Sequence, residues 1–139
     1  MAVGNAEIIA ALRKVKENTD SGVFGAVQRA AIAALSGPQD NITRMTALYR
    51  RRRDLVVKTW NALGLPLEAP PATFYVWAPV PNGRHSPEFA AELLERAGVV
   101  VTPGIGYGSQ GDGFVRMSLT IADARLKEAM ERIRALGQF

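Results

Sequence analysis

The spacing of apolar residues changes period once along the chain, at Gly64-Leu65-Pro66, and that change limits the folds open to it. Upstream, apolar residues recur every three to four positions, the spacing of amphipathic helices. Ile8, Ile9, Leu12 and Val15 share one such face behind Asn5, a residue suited to capping a helix start. Phe24, Val27, Ala30, Ala31, Ala34 and Leu35 form a second face, rich in small residues. Beyond Ser36-Gly37-Pro38 a long helix is predicted to run to about Leu63, with a stripe of Ile42, Met45, Leu48, Tyr49, Val56, Trp60 and Leu63. At about 1.5 Å per residue it would reach ~39 Å, a length that suits a bridge between two lobes.

Downstream the signals are shorter. Thr73-Phe74-Tyr75-Val76-Trp77 reads as a strand entered through Pro70-Pro71. Ser86-Pro87 opens a helix that Gly98 stops, and Val99-Val100-Val101-Thr102 begins a second strand. A glycine-rich loop leads into a third strand, residues 114–119. Thr120 with Asp123 resembles a capping box for a last helix, in which Glu128 can pair with Arg132. The predicted class is α+β: helices preceding a small lobe whose short, mainly antiparallel sheet is covered by helices.

Composition narrows the functions. Of 139 residues 47% are apolar and 22% charged, enough to build a core, and no apolar run reaches bilayer length. The first residues lack the basic and apolar regions of a signal peptide, so none is expected. The net charge of +4 is too small to imply a polyanionic partner. With no cysteine, thiolate metal sites and disulfides are excluded and a cytoplasmic location is the natural assumption. One histidine, His85, predicts no zinc site, and its loop position predicts a surface role.

Arg116 is the most informative residue. Alternation puts Val115, Met117 and Leu119 on one strand face and Phe114, Arg116 and Ser118 on the other. A guanidinium there is costly to desolvate unless it meets an anion, and its planar fork suits a carboxylate. From residue types alone, the ordinary expectation is an ion pair with an acid of the same lobe. Tyr107 and Phe74 could line a cleft beside it, although on residue type alone core packing is the favoured expectation for Phe74. Gly106-Tyr107-Gly108-Ser109-Gln110-Gly111 matches a dinucleotide fingerprint literally, but the chain runs on into a strand where a helix should open. These glycines are therefore read as a flexible loop. Arg50-Arg51-Arg52-Arg53 spreads around its helix because successive residues turn by about 100°. Arg52 falls in the apolar stripe, where its stem packs while its head seeks a carboxylate or water. A nucleic-acid surface is not expected of it.

The order of these features is more specific than any one of them. Residues 49–54, Ala62-Leu63-Gly64-Leu65, Ala72-Thr73-Phe74-Tyr75-Val76, residues 99–104, residues 113–119 and residues 126–133 follow one another as in the carboxyl-terminal part of class I/II aminotransferases, the fold type I pyridoxal-phosphate enzymes. The chain resembles most the aspartate/alanine and LL-diaminopimelate aminotransferase branch. That resemblance implies that residues 1–36 are a remnant of the large cofactor-binding domain, 37–63 the interdomain helix and 64–139 the carboxyl-terminal small domain. It implies that Arg116 binds the substrate α-carboxylate, reversing the expectation of an internal ion pair, and that Phe74 lies near the substrate. It implies that residues 18–25 lie at a dimer interface, so a homodimer or self-association is expected. The complete enzyme would move an amino group between an amino acid and a 2-oxo acid through pyridoxal 5'-phosphate. In the family a Schiff-base lysine precedes the segment matching Ala2-Val3-Gly4. Lys14, Lys16, Lys58 and Lys127 do not have its context. The 139 residues alone are therefore expected to hold no cofactor, supply no catalytic residue and be inactive. The competing expectation is a non-catalytic module that binds a protein or nucleic acid.

Overall fold

The structure is a computed structural model and describes residues 2–81, 83–137 and 139. Its contacts divide into two compact units, Met1–Asn41 and Ile42–Phe139.

The first unit contains α1 (Ala6–Glu17), α2 (Gly25–Ser36) and the start of α3 (Asp40–Ala62). Asn5 caps α1 as predicted: its Oδ1 accepts from the amides of Glu7 and Ile8 at 2.9 and 3.3 Å. That satisfies two amides the first helical turn cannot. Neither α1 nor α2 buries a residue, and Ile8, Phe24 and Leu35 are 69%, 77% and 68% exposed. The apolar faces read from the sequence are formed but uncovered.

The second unit holds the remainder of α3, then β1 (Tyr75–Pro79), α4 (Ser86–Ala97), β2 (Thr102–Pro103), β3 (Phe114–Ser118) and α5 (Asp123–Ala135). Two 3-10 turns, Gly104–Tyr107 and Ser109–Gly111, lie between β2 and β3. The sheet order is β1-β3-β2 with both pairings antiparallel, which is the α+β lobe expected. Val76, Ala78, Val115 and Met117 bury one sheet face in a core shared with Val56 and Trp60 of α3, Phe89 and Leu93 of α4, and Met130 and Ile133 of α5. Each large side chain buried in this way contributes roughly 1.5–3 kcal/mol. The buried Trp60 indole donates to the Pro79 carbonyl at 3.0 Å, which ties α3 to the end of β1. Of the predicted α3 stripe, Val56, Trp60 and Leu63 are buried, whereas Ile42 and Met45 remain exposed.

Four local expectations are corrected. First, β1 begins at Tyr75 instead of Thr73, because Thr73 has a φ of 70°. A β-branched residue in that left-handed region cannot continue a pleated ladder. Second, β2 is only Thr102–Pro103. The Val99 amide donates to Leu93 O in closing α4 behind the left-handed Gly98, so it is unavailable to a strand. Third, α5 has Ala122 at its cap position and no side-chain cap bond. Asp123 pairs instead with Arg52, and the Thr120 hydroxyl lies 2.8 Å from that of Ser118.

The fourth correction concerns the glycine loop, which is pinned. Gly104 and Gly111 are buried against each other's backbone. A Cβ on Gly104 would lie 2.1 Å from Gly111 O and 2.5 Å from Phe114 O, whereas one on Gly106 would meet nothing within 4 Å. Gly104→Ala is therefore expected to cost about 2–3 kcal/mol or more, from overpacking against rigid backbone. Gly106→Ala should stay within about 0.5 kcal/mol of the parent. Denaturant unfolding of the two variants checks this, and equal stabilities would contradict the close approach.

Candidate functional site

Alternation along β1 and β3 leaves one sheet face without a covering layer, and Arg116 stands in the middle of it. Its neighbours across the ladder are Trp77 on β1 and Thr102 on β2, neither of them an acid. The other open-face positions of these strands are Tyr75, Pro79, Phe114 and Ser118, which also lack a carboxylate. Among the described residues no carboxylate forms an ion pair with Arg116. Aromatic rings surround it instead. The Arg116 Cζ lies 4.2 Å from the centroid of the Tyr75 ring and 4.7 Å from that of Tyr107. Trp77 packs edge-on to Tyr107 at 5.6 Å and stacks on Phe114 at 5.8 Å.

Of the residues singled out in the sequence, Arg116 and Tyr107 come together directly. Phe74 is displaced one step: its ring packs on Tyr75 at 4.6 Å and on Tyr49 at 5.9 Å, and it is 41% exposed. The leucine that follows β3 donates its amide to the Phe74 carbonyl at 2.8 Å. Tyr75 and Trp77 were not singled out. The alternation applied to Arg116, extended to residues 75–79, would have put both on the same face as it.

The other arginines differ. Arg52, 12% exposed, donates from Nε to Asp123 at 2.5 Å and from an Nη to the Leu119 carbonyl at 2.8 Å, as its place in the apolar stripe predicted. Arg51 approaches the same aspartate, and Arg53 donates to Asp54 and to the Pro70 carbonyl. Two of the four consecutive arginines thus have hydrogen-bond acceptors and a third lies in a loose ion pair, which weakens the reading of a basic patch. Lys58 and Lys127 are exposed on α3 and α5, with Lys127 near Glu131 at 3.8 Å. Neither is buried beside an open pocket where a neutral amine could act as nucleophile or base. Lys14 and Lys16 are likewise exposed, on α1.

One side-chain knot holds the loop that carries Tyr107. Asp112 Oδ1 accepts from the Ser86 amide and hydroxyl, each at 2.9 Å, and Oδ2 lies 2.6 Å from His85 Nδ1. The Ser86 oxygen also accepts from the Ile105 amide at 3.2 Å. The two ends of the loop are thereby tied to the start of α4.

The chain belongs to the class I and II aminotransferases: the family description "Aminotransferase class I and II" matches residues 1–133. Its relatives include the LL-diaminopimelate aminotransferases of Desulforudis audaxviator and Moorella thermoacetica, 58% and 53% identical over 133 residues. Those matches cover 96% of this chain and 34% of each relative, so the chain spans about a third of their length. Among solved structures, an aminotransferase from Staphylococcus aureus superposes with a TM-score of 0.86 at 35% identity, over 96% of this chain and 36% of that one. The earlier resemblance to the carboxyl-terminal part of this family is thus correct. No described helix is long and apolar enough to cross a membrane.

The knot has a pH window. The His85 hydrogen bond, followed by those from Ser86, holds Asp112 below its ordinary value of 3.8. The same bond, then the charges of Asp112 and Glu88, raise His85 above 6.5. A raised histidine stabilises the fold fully below its unfolded value and loses that contribution as pH rises through its folded value. A depressed aspartate does the reverse, contributing above 3.8 and losing its effect as pH falls. The difference in Tm between parent and His85→Ala should therefore be largest near about pH 5 and shrink towards about pH 8. Thermal unfolding at the two pH values checks this. A difference that does not change with pH would contradict the linkage.

Proposed function

We propose that this chain is the carboxyl-terminal part of an LL-diaminopimelate-type aminotransferase and that Arg116 holds the substrate's α-carboxylate. The observation that carries this reading is a guanidinium with no acid partner among the described residues, ringed by aromatic side chains on the uncovered face of the sheet. An arginine with its N–H edges free can receive a carboxylate through two parallel charge-assisted bonds. Low local dielectric from the rings strengthens that contact. Tyr107 lines the same crevice, and Phe74 bounds it through Tyr75.

The complete enzyme transfers an amino group between LL-diaminopimelate and a 2-oxo acid, and pyridoxal 5'-phosphate supplies the electron sink for that exchange. This chain's part is binding and orientation. Fixing the carboxylate fixes the rotation of the amino acid, which decides which bond at its α-carbon faces the cofactor. Residues 1–36 belong to the cofactor-binding lobe, 37–63 form the helix between lobes, and 64–139 are the small domain. The uncovered apolar faces of α1 and α2 suit burial against the preceding part of the enzyme and a homodimer partner. The location is cytoplasmic, in keeping with a cysteine-free chain. A non-catalytic binding module is less well supported, since three of the four clustered arginines already face intramolecular carboxylates.

The test is a chimera in which this chain replaces the matching third of the Desulforudis audaxviator enzyme. The chimera should transaminate LL-diaminopimelate with pyridoxal phosphate, whereas the 139-residue chain alone should show no turnover. In the chimera, Arg116→Ala should lower kcat/KM by about 100-fold or more, the worth of charge-assisted hydrogen bonds lost from the substrate. A kcat/KM within twofold of the parent would overturn the role of Arg116. Turnover by the isolated chain would overturn its dependence on the rest of the enzyme.

A further inference from the structure

We infer that Tyr75 and Tyr107 are positioning residues for Arg116, a π-clamp that fixes the guanidinium while leaving its donors free for substrate. The inference rests on the carboxylate-binding role proposed for Arg116. It adds two residues and a division of labour between them and the arginine.

An arginine reaches its target through several rotatable bonds, and ordering such a side chain costs conformational entropy. Proteins commonly offset that cost with an internal carboxylate or carbonyl. Arg52 is the example within this chain: Asp123 and the Leu119 carbonyl take its Nε and one Nη. A guanidinium held that way has its donors occupied, and a substrate carboxylate would have to displace the internal partner.

Aromatic faces provide a different restraint. The negative face of a ring attracts the cation without accepting in-plane N–H bonds. With Cζ 4.2 Å from one ring centroid and 4.7 Å from the other, Arg116 lies within cation–π range of both. All five of its N–H donors stay available to a carboxylate.

The two rings belong to separate groups and are anchored differently. Tyr75 is the first residue of β1, opposite Ser118 in the ladder, and its ring packs on Phe74. Tyr107 comes from the pinned loop, and its ring is braced by Trp77, the cross-strand neighbour of Arg116. Two features that otherwise lack a purpose now have one. The strained left-handed Thr73 turns the chain so that Phe74 backs Tyr75, and the Asp112–Ser86 knot holds the loop that presents Tyr107. Disturbing either ring should therefore weaken capture of the carboxylate more than the later chemistry.

The chimera tests this through substituted rings. Tyr75→Leu and Tyr107→Leu should each raise KM for the amino acid about two- to fivefold, with kcat changed less, and Tyr→Phe should recover the loss because it keeps the ring. Replacing Tyr107 with pentafluorophenylalanine keeps the shape of a ring but reverses its quadrupole, so it should behave like Leu and unlike Phe. In the 139-residue chain, the Arg116 Nε–H proton should resonate upfield of the other arginines, under the ring currents, and move downfield in the Leu variants. If pentafluorophenylalanine matches Phe, or the proton does not move, the clamp is overturned. If Arg116→Ala cripples the chimera while the Leu variants keep the parental KM, the clamp alone falls. If Arg116→Ala itself is without effect, the carboxylate role beneath it falls as well.

Discussion

A charged side chain at the centre of a strand must face somewhere, and strand alternation leaves only two directions. On β3 one direction is filled by Val115 and Met117, buried with Trp60, Phe89 and Ile133. Arg116 is thereby forced onto the opposite face, and the register sets Trp77 and Thr102 beside it. Everything that gives the site its character follows from that placement. The core determines the direction of the guanidinium, and the absence of an acid among its ladder neighbours leaves the charge without an internal partner. Tyr75 and Tyr107 then hold it by their faces.

The same logic separates Arg116 from the acid-paired arginines across the lobe. Arg52 and Arg132 both meet carboxylates of their own unit, Asp123 and Glu128, and help to hold helices in place. Glu92 is met by both Arg84 and Arg96. Such pairs are ordinary surface and boundary contacts of modest worth. Against them, Arg116 stands out by its aromatic neighbours and, among the described residues, by having no acid partner. The first unit makes the complementary point in apolar terms: α1, capped by Asn5, and α2, which has no side-chain cap, both bury nothing. Helices with apolar faces gain most of their stability from packing, and these two have none within their own unit.

Much of this was legible in the residues themselves. Periodicity located the five α-helices among the described residues, because each carries an apolar stripe at helical spacing, and the cap at Asn5 and the stop at Gly98 have chemical signatures. Alternation along residues 114–118 gave the correct direction for Arg116. What stayed hidden were effects of tertiary competition. Asp123 reads as a capping-box acid until Arg52, 71 residues away in sequence, claims it. Val99 to Val101 read as a strand until the closing of α4 takes the first amide. The glycine loop reads as flexible because nothing local reveals that Gly104 and Gly111 touch. Tyr75 shares the parity of Trp77 and so lies on the face opposite Val76, but it is the β1–β3 register, a tertiary feature, that sets that face beside Arg116.

A crystal structure of the chimeric enzyme with pyridoxal phosphate and a non-reacting carboxylate analogue of the amino acid would test the central claim most directly. Expected is a carboxylate gripped by two guanidinium nitrogens of Arg116, with the rings of Tyr75 and Tyr107 still against its Cζ. A guanidinium turned instead to an aspartate or glutamate from the rest of the enzyme, with the analogue's carboxylate bound elsewhere, would contradict it.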